Sequence, residues 1–172
     1  MTWLRPPAWL AIPALGLALS LGCDDPESLR ALDLAELPER FACDDVTVVA
    51  ASVDGSEALL LGVEDGLAAA ARESGEIVEA EYDLPDDRLI VRWVLGSNVY
   101  VGHCGRDSGE DWQLDQRSDA IAGHVAIRVE PVSDGSLIVS ATLDDLLLAP
   151  SRSGGPIYEL SSTALDGLLL AQ

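Results

Sequence analysis

The sequence contains no lysine, two histidines and three cysteines, and aromatic residues make up 5% of its 172 residues. All ten basic residues are therefore arginines, and they stand against 30 aspartates and glutamates for a formal net charge of −20. A charge of this size repels nucleic-acid phosphates and anionic lipid head groups, which excludes nucleic acid as a partner. The scarcity of histidine and cysteine, without a Cys-x-x-Cys pair, disfavours a zinc site.

The chain also lacks a long uninterrupted apolar run. Its first apolar segment extends from Ala8 to Leu21 after a single basic residue, Arg5, and Pro13 interrupts it. This segment is too short for a stable membrane-spanning helix, and its pattern is typical of an export signal.

The residues Leu19-Ser20-Leu21-Gly22-Cys23 end this segment and resemble the lipobox of bacterial lipoproteins, in which a small residue precedes the cysteine that receives a diacylglycerol. The resemblance implies a signal peptide over 1–22, lipidation of Cys23, and attachment to a membrane of the cell envelope through this anchor. The segment 23–42 that follows contains two prolines and many acidic residues, so we expect a lipidated N-terminus and an acidic tether there. Ordinary signal-peptidase cleavage after Ser20 is the alternative, and it gives a soluble secreted protein.

Cysteine arithmetic agrees with the lipid interpretation. If Cys23 is acylated, Cys43 and Cys104 remain as an even pair in a compartment that permits oxidation, so we expect them to form a disulfide. Closing a loop of roughly 60 residues stabilises a fold by about 4 kcal/mol on the chain-entropy model. Two free thiols or a metal pair are the alternatives.

From Cys43 onward the apolar pattern is that of β-strands. The runs Val46–Val53 and Glu57–Val63 flank Asp54-Gly55 and predict an antiparallel hairpin. The alanine-rich stretch Leu67–Arg72 predicts one or two helical turns, with an extended edge as the alternative. Before the strands, leucines at helical spacing suggest a short surface helix between Pro26 and Pro38 in the tether.

Further strands follow at short intervals. Val78–Leu84 alternates apolar residues with glutamates and aspartate, and Leu89–Leu95 is expected to return beside it, placing Arg88 and Arg92 near those glutamates. A weaker extended stretch lies at 112–118, and further strand-like or apolar runs lie at 125–129, 137–143, 146–149, 157–160 and 168–170. About eight short strands without a long amphipathic helix predict one all-β domain over 43–172, an antiparallel β-sandwich with a barrel as second choice.

Catalytic motifs are incomplete. Asp107-Ser108-Gly109 and Ser153-Gly154-Gly155-Pro156 resemble separate pieces of the chymotrypsin-like nucleophile motif, but His103 is only five residues before Ser108. That order does not fit the triad of the family. We therefore expect no cofactor and a non-enzymatic interaction or structural module of the envelope. A hydrolase without a recognisable motif is the third choice.

Two weak binding patterns support the runner-up, a carbohydrate- or calcium-binding domain. One is an acidic cluster without EF-hand spacing whose members are candidate calcium ligands: Asp107, Glu110, Asp111 and Asp115. The other is Trp112, which beside Tyr100 would stack on a sugar or a partner's side chain if it is exposed. We expect Trp112 to pack on the disulfide instead and Trp93 to lie in the core. The partner is then an envelope protein or a glycan, and the oligomeric state is open.

Overall fold

The computed structural model describes residues 28–99, 104 and 112–171. Within these residues the chain forms ten strands, one α-helix (α1, Leu67–Ser74) and one 3-10 turn (Leu34–Glu36). The strands are β1 (Leu29–Ala31), β2 (Glu39–Cys43), β3 (Thr47–Ala51), β4 (Glu57–Val63), β5 (Val78–Leu84), β6 (Leu89–Ser97), β7 (Gln113–Pro131), β8 (Leu137–Pro150), β9 (Ile157–Leu160) and β10 (Thr163–Ala171). The prediction of an all-β fold is confirmed, and the arrangement is sandwich-like.

All ten strands belong to one hydrogen-bonded sheet, in which two strands are much longer than the others. β7 has 19 residues and β8 has 14, because apolar runs that looked separate in the sequence are continuous strands. β7 pairs with β6 through its first half and with β5 through its second, while β8 runs antiparallel along it from Ser118 to Pro131. Seven strands form a closed series in which each pairs with the next, in the order β2, β3, β4, β6, β7, β8, β10 and again β2.

The main core lies between the inner faces of these strands. Leu59 and Leu61 of β4 and Val125 and Ile127 of β7 alternate with residues of the opposite face, and each is at most 1% exposed. Burying such a side chain stabilises the fold by roughly 1.5–3 kcal/mol. As predicted, the apolar side of β5 faces this core through Tyr82, while its glutamates face water.

A second, smaller apolar cluster covers the opposite face of β3 and β4. It contains Val49, Leu60, Val94 and Val99, and Cys104 packs against it. These strands are therefore buried on both faces, which explains why their sequences are continuous apolar runs rather than alternating ones.

Two local predictions are confirmed. β3 and β4 pair antiparallel, and Gly55 in the connection adopts a φ of 69° that glycine accommodates without strain. The alanine-rich stretch forms α1, which buries Leu67, Ala68 and Ala71 against the core.

The predicted hairpin between β5 and β6 is wrong. β6 is a central strand whose two edges are filled by β4 and β7, so β5 pairs instead with the second half of β7. In that position Glu79 of β5 lies opposite Arg128 of β7, with 2.8 Å between Oε1 and Nη1. Arg92 consequently binds Asp119 and not a glutamate of β5.

The tether prediction is wrong for residues 29–42. β1 pairs in parallel with β9, and Leu34 and Leu37 are 4% and 0% exposed in the core. Between β1 and β2 Asp33 accepts a hydrogen bond from the Ala35 backbone N–H at 2.8 Å, which caps a 3-10 turn where a surface helix was expected. Burial of Leu34 and Leu37 removes their apolar surface from water and favours this packing over a free tether.

Candidate functional site

Cys43 and Cys104 form the predicted disulfide, with 5.1 Å between their Cα atoms. Cys43 ends β2 and is 3% exposed, and Cys104 packs on the smaller apolar cluster. The bond therefore fastens the segment after β6 to the outer face of the sheet.

Several candidate residues lie outside the described residues. They are Cys23, Tyr100, His103, Asp107, Ser108, Glu110 and Asp111. Asp115, the remaining calcium candidate, is exposed on β7 and accepts a hydrogen bond from Gln113 Nε2 at 3.3 Å. Among the described residues, no group of three or more histidines, cysteines or acidic residues is placed to hold a metal ion.

The two tryptophans of the folded part occupy opposite environments. Trp93 is 4% exposed and packs against Tyr158 with 6.0 Å between ring centroids, which confirms its predicted core position. Trp112 is 57% exposed, so the expectation that it is buried against the disulfide is wrong. It immediately precedes β7, where the strand extends beyond its pairing with β8, and this position leaves its indole accessible.

A cleft of about 470 Å³ lies between the first half of β7, which Trp112 immediately precedes, and the end of β8. Residues 114–117 of β7 form one wall, and residues 150–155 form the other. The β7–β8 pairing starts at Ser118 and Pro150, so the two walls diverge from this point and leave an open space. A volume of this size is within the range of small-molecule sites, about 300–1,000 Å³.

One carboxylate, that of Asp119, binds two residues that line the cleft, Arg117 and Ser151. Asp119 accepts hydrogen bonds from Arg92 Nε at 2.9 Å, from Arg117 Nε at 3.0 Å and from Ser151 Oγ at 2.9 Å. Partial burial acts to raise the pKa of Asp119, but these three donors outweigh it and hold that pKa below its usual range. The network also fixes the position of Arg117 and of the loop that starts at Ser151.

Three buried polar atoms on the inner face near the cleft have no hydrogen-bond partner within the described part of the chain. They are Trp93 Nε1, Gln116 Nε2 and Ser118 Oγ. Trp93 lies directly opposite Ser118 in the β6–β7 pairing, and Gln116 is two residues before Ser118 on the same face of β7. Of these three residues Gln116 lines the cleft, whereas Trp93 belongs to the main core.

His124, the histidine within the described residues, lies outside the cleft. His124 Nδ1 and Asp83 Oδ1 are 2.9 Å apart across the β5–β7 pairing, and their side chains are 37% and 94% exposed. The hydrogen bond to Asp83 raises the pKa of His124 above its ordinary value. The pair is an exposed cross-strand contact on the polar face.

Sequence reasoning missed the cleft because its walls come from distant segments. Ser153-Gly154-Gly155-Pro156 was considered for a protease motif, whereas the structure places Gly155 against Pro150 and Gln116. The one sequence signal for this cleft is the loop at 151–155, in which an arginine stands between two serines and precedes two glycines. The sequence does not indicate that this loop lies beside β7.

In the part of the chain that the structure describes, no helix is long and apolar enough to cross a membrane. No protein-family model, no curated protein and no solved structure matches the chain. The function proposed next therefore rests on the residues and on their geometry.

Proposed function

We propose that this protein is an envelope-anchored lipoprotein whose acidic β domain is a non-enzymatic interaction or structural module. The observation that carries the proposal is the bond between Cys43 and Cys104. It uses two of the three cysteines and leaves Cys23, the cysteine of the lipobox-like segment, for acylation. Disulfides persist in oxidising compartments, which agrees with an exported protein.

The charge of the chain explains why such a protein needs a covalent anchor. A net charge of −20 opposes adsorption to anionic lipid head groups, so the domain has no electrostatic attraction to the membrane surface. Two acyl chains on one cysteine give stable attachment without any help from the protein surface. The same repulsion keeps the acidic domain away from the bilayer and exposes it to partners.

The non-enzymatic part of the proposal is supported by the surroundings of His124. Its hydrogen-bond partner is the highly exposed Asp83, and the pair lies on a solvated strand face. General acid–base catalysis works best where a histidine and its orienting carboxylate are positioned beside a substrate in a water-poor site. The pair is better explained as a surface contact between β5 and β7.

The decisive experiment is the intact mass of the protein extracted from membranes of its native host without reductant. We expect a chain that begins at Cys23, carries acyl mass, and is two hydrogen atoms lighter than the dithiol. An unacylated chain that begins near Leu21 would refute the anchor and indicate a secreted protein.

Two variants separate the roles of the cysteines. Cys23→Ala is expected to release the protein from the membrane fraction without changing its thermal unfolding. Cys43→Ala is expected to lower the unfolding temperature and to leave membrane attachment intact. Release of Cys43→Ala, or full attachment of Cys23→Ala, would contradict the assignment.

A carbohydrate-binding domain is the second candidate, and the exposure of Trp112 favours it. An indole that is 57% exposed beside a cleft offers an apolar surface for the aliphatic face of a sugar ring. Binding of glycan fragments to the wild-type protein and its loss in Trp112→Ala would support this candidate, and equal binding by both proteins would reject it.

A further inference from the structure

The cleft between β7 and the loop after β8 has a different charge from the rest of the molecule. Arg117 and Arg152 line it, and Asp115 is the single acidic residue among its described lining residues. The whole chain has three times as many acidic as basic residues, so this concentration of arginine is local. A guanidinium-lined cleft on an acidic protein complements an anionic group of a ligand.

The two arginines differ in how far they are already neutralised. Arg117 shares the carboxylate of Asp119 with Arg92, so one negative charge faces two guanidinium groups. Arg152 is exposed on the loop and makes no ion pair or hydrogen bond within the described part of the chain. Arg152 is therefore available to bind an external carboxylate in the bidentate geometry that guanidinium favours.

Gln116 lines the cleft from the inner face of β7. Its Nε2 atom is buried and has no hydrogen-bond partner among the described residues. Gly155 lies over this amide. A Cβ atom at position 155 would stand 3.0 Å from Pro150 Cβ and 3.6 Å from Gln116 Nε2, so the missing side chain keeps this end of the cleft open.

The outer end of the cleft is apolar. Leu114 lines it and is 42% exposed, and Trp112, two residues earlier, is 57% exposed. The β6–β7 register shifts between Leu114 and Gln116, so Trp112 and Leu114 share the strand face that carries Arg117 and not that of Gln116. A ligand in this cleft therefore meets guanidinium groups and an exposed aromatic surface.

We infer that the cleft binds a carboxylate-bearing saccharide, with its carboxylate at Arg152 and its sugar ring against Leu114 and Trp112. The inference rests on the proposed function, because it names a ligand for the interaction module. A neutral sugar leaves Arg152 without an anionic acceptor, so the site discriminates against it.

The test is a titration of the full chain, purified from membranes in a polyoxyethylene detergent that contains no sugar. A trisaccharide of hexuronic acid is the probe, and a neutral hexose trisaccharide is its matched control. Calorimetry measures affinity, and tryptophan fluorescence is compared between the wild-type protein and Trp112→Phe to assign the change to the exposed Trp112. We expect the hexuronate to bind about tenfold or more tightly than the neutral sugar, since hydrogen bonds to charged groups are stronger than neutral ones.

Two substitutions identify the groups that bind the ligand. Arg152→Gln is expected to lower hexuronate affinity about tenfold or more while leaving thermal unfolding unchanged, because Arg152 is exposed. Trp112→Phe is expected to weaken binding and to abolish the fluorescence change. Arg72→Gln, an exposed substitution on α1, is the matched control for loss of one positive charge.

The results separate failure of this inference from failure of the proposed function. Absence of hexuronate binding, equal affinity for the neutral sugar, or equal effects of Arg152→Gln and Arg72→Gln would refute the saccharide site. Membrane fractionation of the same proteins is the independent readout of the anchor. A wild-type protein that stays in the membrane and ignores hexuronate overturns this inference alone, whereas one that binds hexuronate but is not acylated overturns the anchor alone.

Discussion

Cys43 and Cys104 are joined by a disulfide across 61 residues of chain, and the bond fastens the segment after β6 to the outer face of β3 and β4. The cysteines lie on either side of the hairpin and of α1, so the loop that they close contains much of the domain. Closing a loop of this length restricts the unfolded chain much more than the folded one.

Removing the disulfide should therefore lower the free energy of unfolding by about 4 kcal/mol on the chain-entropy model. Chemical denaturation of the Cys43→Ala/Cys104→Ala double variant, compared with the wild-type protein, measures this change. Each single variant should be at least as unstable as the double variant because it retains an unpaired thiol. Unchanged stability of the double variant would show that the bond contributes little to the fold.

Gly123 is the position in β7 where an added methyl group meets backbone. Its φ is 123°, and a Cβ atom there would lie 2.8 Å from Leu146 Cα and 2.9 Å from the Asp145 carbonyl oxygen. Gly123→Ala should lower the free energy of unfolding by about 3 kcal/mol through backbone strain and overpacking. Gly62→Ala in β4, where no atom lies within 4 Å of the new Cβ, is the control, and thermal unfolding of both variants distinguishes them. Equal stabilities would contradict the close approach of β7 and β8.

Tyr82 is 2% exposed and donates a hydrogen bond from its hydroxyl to Asp65 Oδ2 at 2.9 Å. Burial, together with this hydrogen bond, raises the pKa of Tyr82 to about 12. Tyr82→Phe should lower the free energy of unfolding by about 1 kcal/mol, and ultraviolet titration of the wild-type protein should show one tyrosine that ionises late. Asp65→Asn keeps an acceptor for the hydroxyl and should lower the free energy of unfolding by a smaller amount. The ion pair that it removes involves Arg88, whose side chain is 56% exposed, and such pairs contribute little. A hydroxyl that ionises near pH 10 would argue against the contact.

His124 should titrate above its ordinary range. The hydrogen bond to Asp83 raises its pKa, with further contributions from the charges of Glu81 and Asp144. Since the pKa of the folded state exceeds that of the unfolded state, the stabilisation is complete below about pH 6.5 and is lost as the pH rises through the folded value. Nuclear magnetic resonance should show that Asp83→Asn lowers the pKa of His124, and an unaltered titration would exclude the pair as its cause.

Ser118 is fully buried, and its hydroxyl has no partner within the described residues. Ser118→Ala removes an unpaired polar group and should raise the free energy of unfolding by about 1 kcal/mol. Ser136→Ala is the contrasting control, because the Ser136 hydroxyl donates a hydrogen bond to Asp134 Oδ1 at 2.6 Å. Loss of this hydrogen bond should lower the free energy of unfolding slightly. Denaturant unfolding of both variants tests the difference. Destabilisation by Ser118→Ala would reveal a partner for the hydroxyl.

Much of the local structure was predictable because it depends on neighbouring residues. Alternation in Val78–Leu84 determined which side of β5 is buried, and Asp54-Gly55 placed the hairpin. The disulfide was predictable from the number of cysteines once Cys23 was assigned to the lipobox-like segment. The pairing of β5 was not, because any strand with exposed glutamates suits several neighbours, and the choice depends on which strand edges the rest of the sheet leaves free.

The sequence by itself determined the all-β class, the acidic surface, the disulfide and the presence of a lipobox-like cysteine, since each follows from composition, period or spacing over short stretches. Tertiary structure decided that residues 29–42 join the sheet, that Trp112 is exposed, and that Arg117, Arg152 and Gln116 meet at one cleft. Contacts between residues far apart in the chain depend on how the chain segments before Ser118 in β7 and after Pro150 in β8 diverge. No local pattern encodes that geometry, because it results from the packing of all the strands around the core.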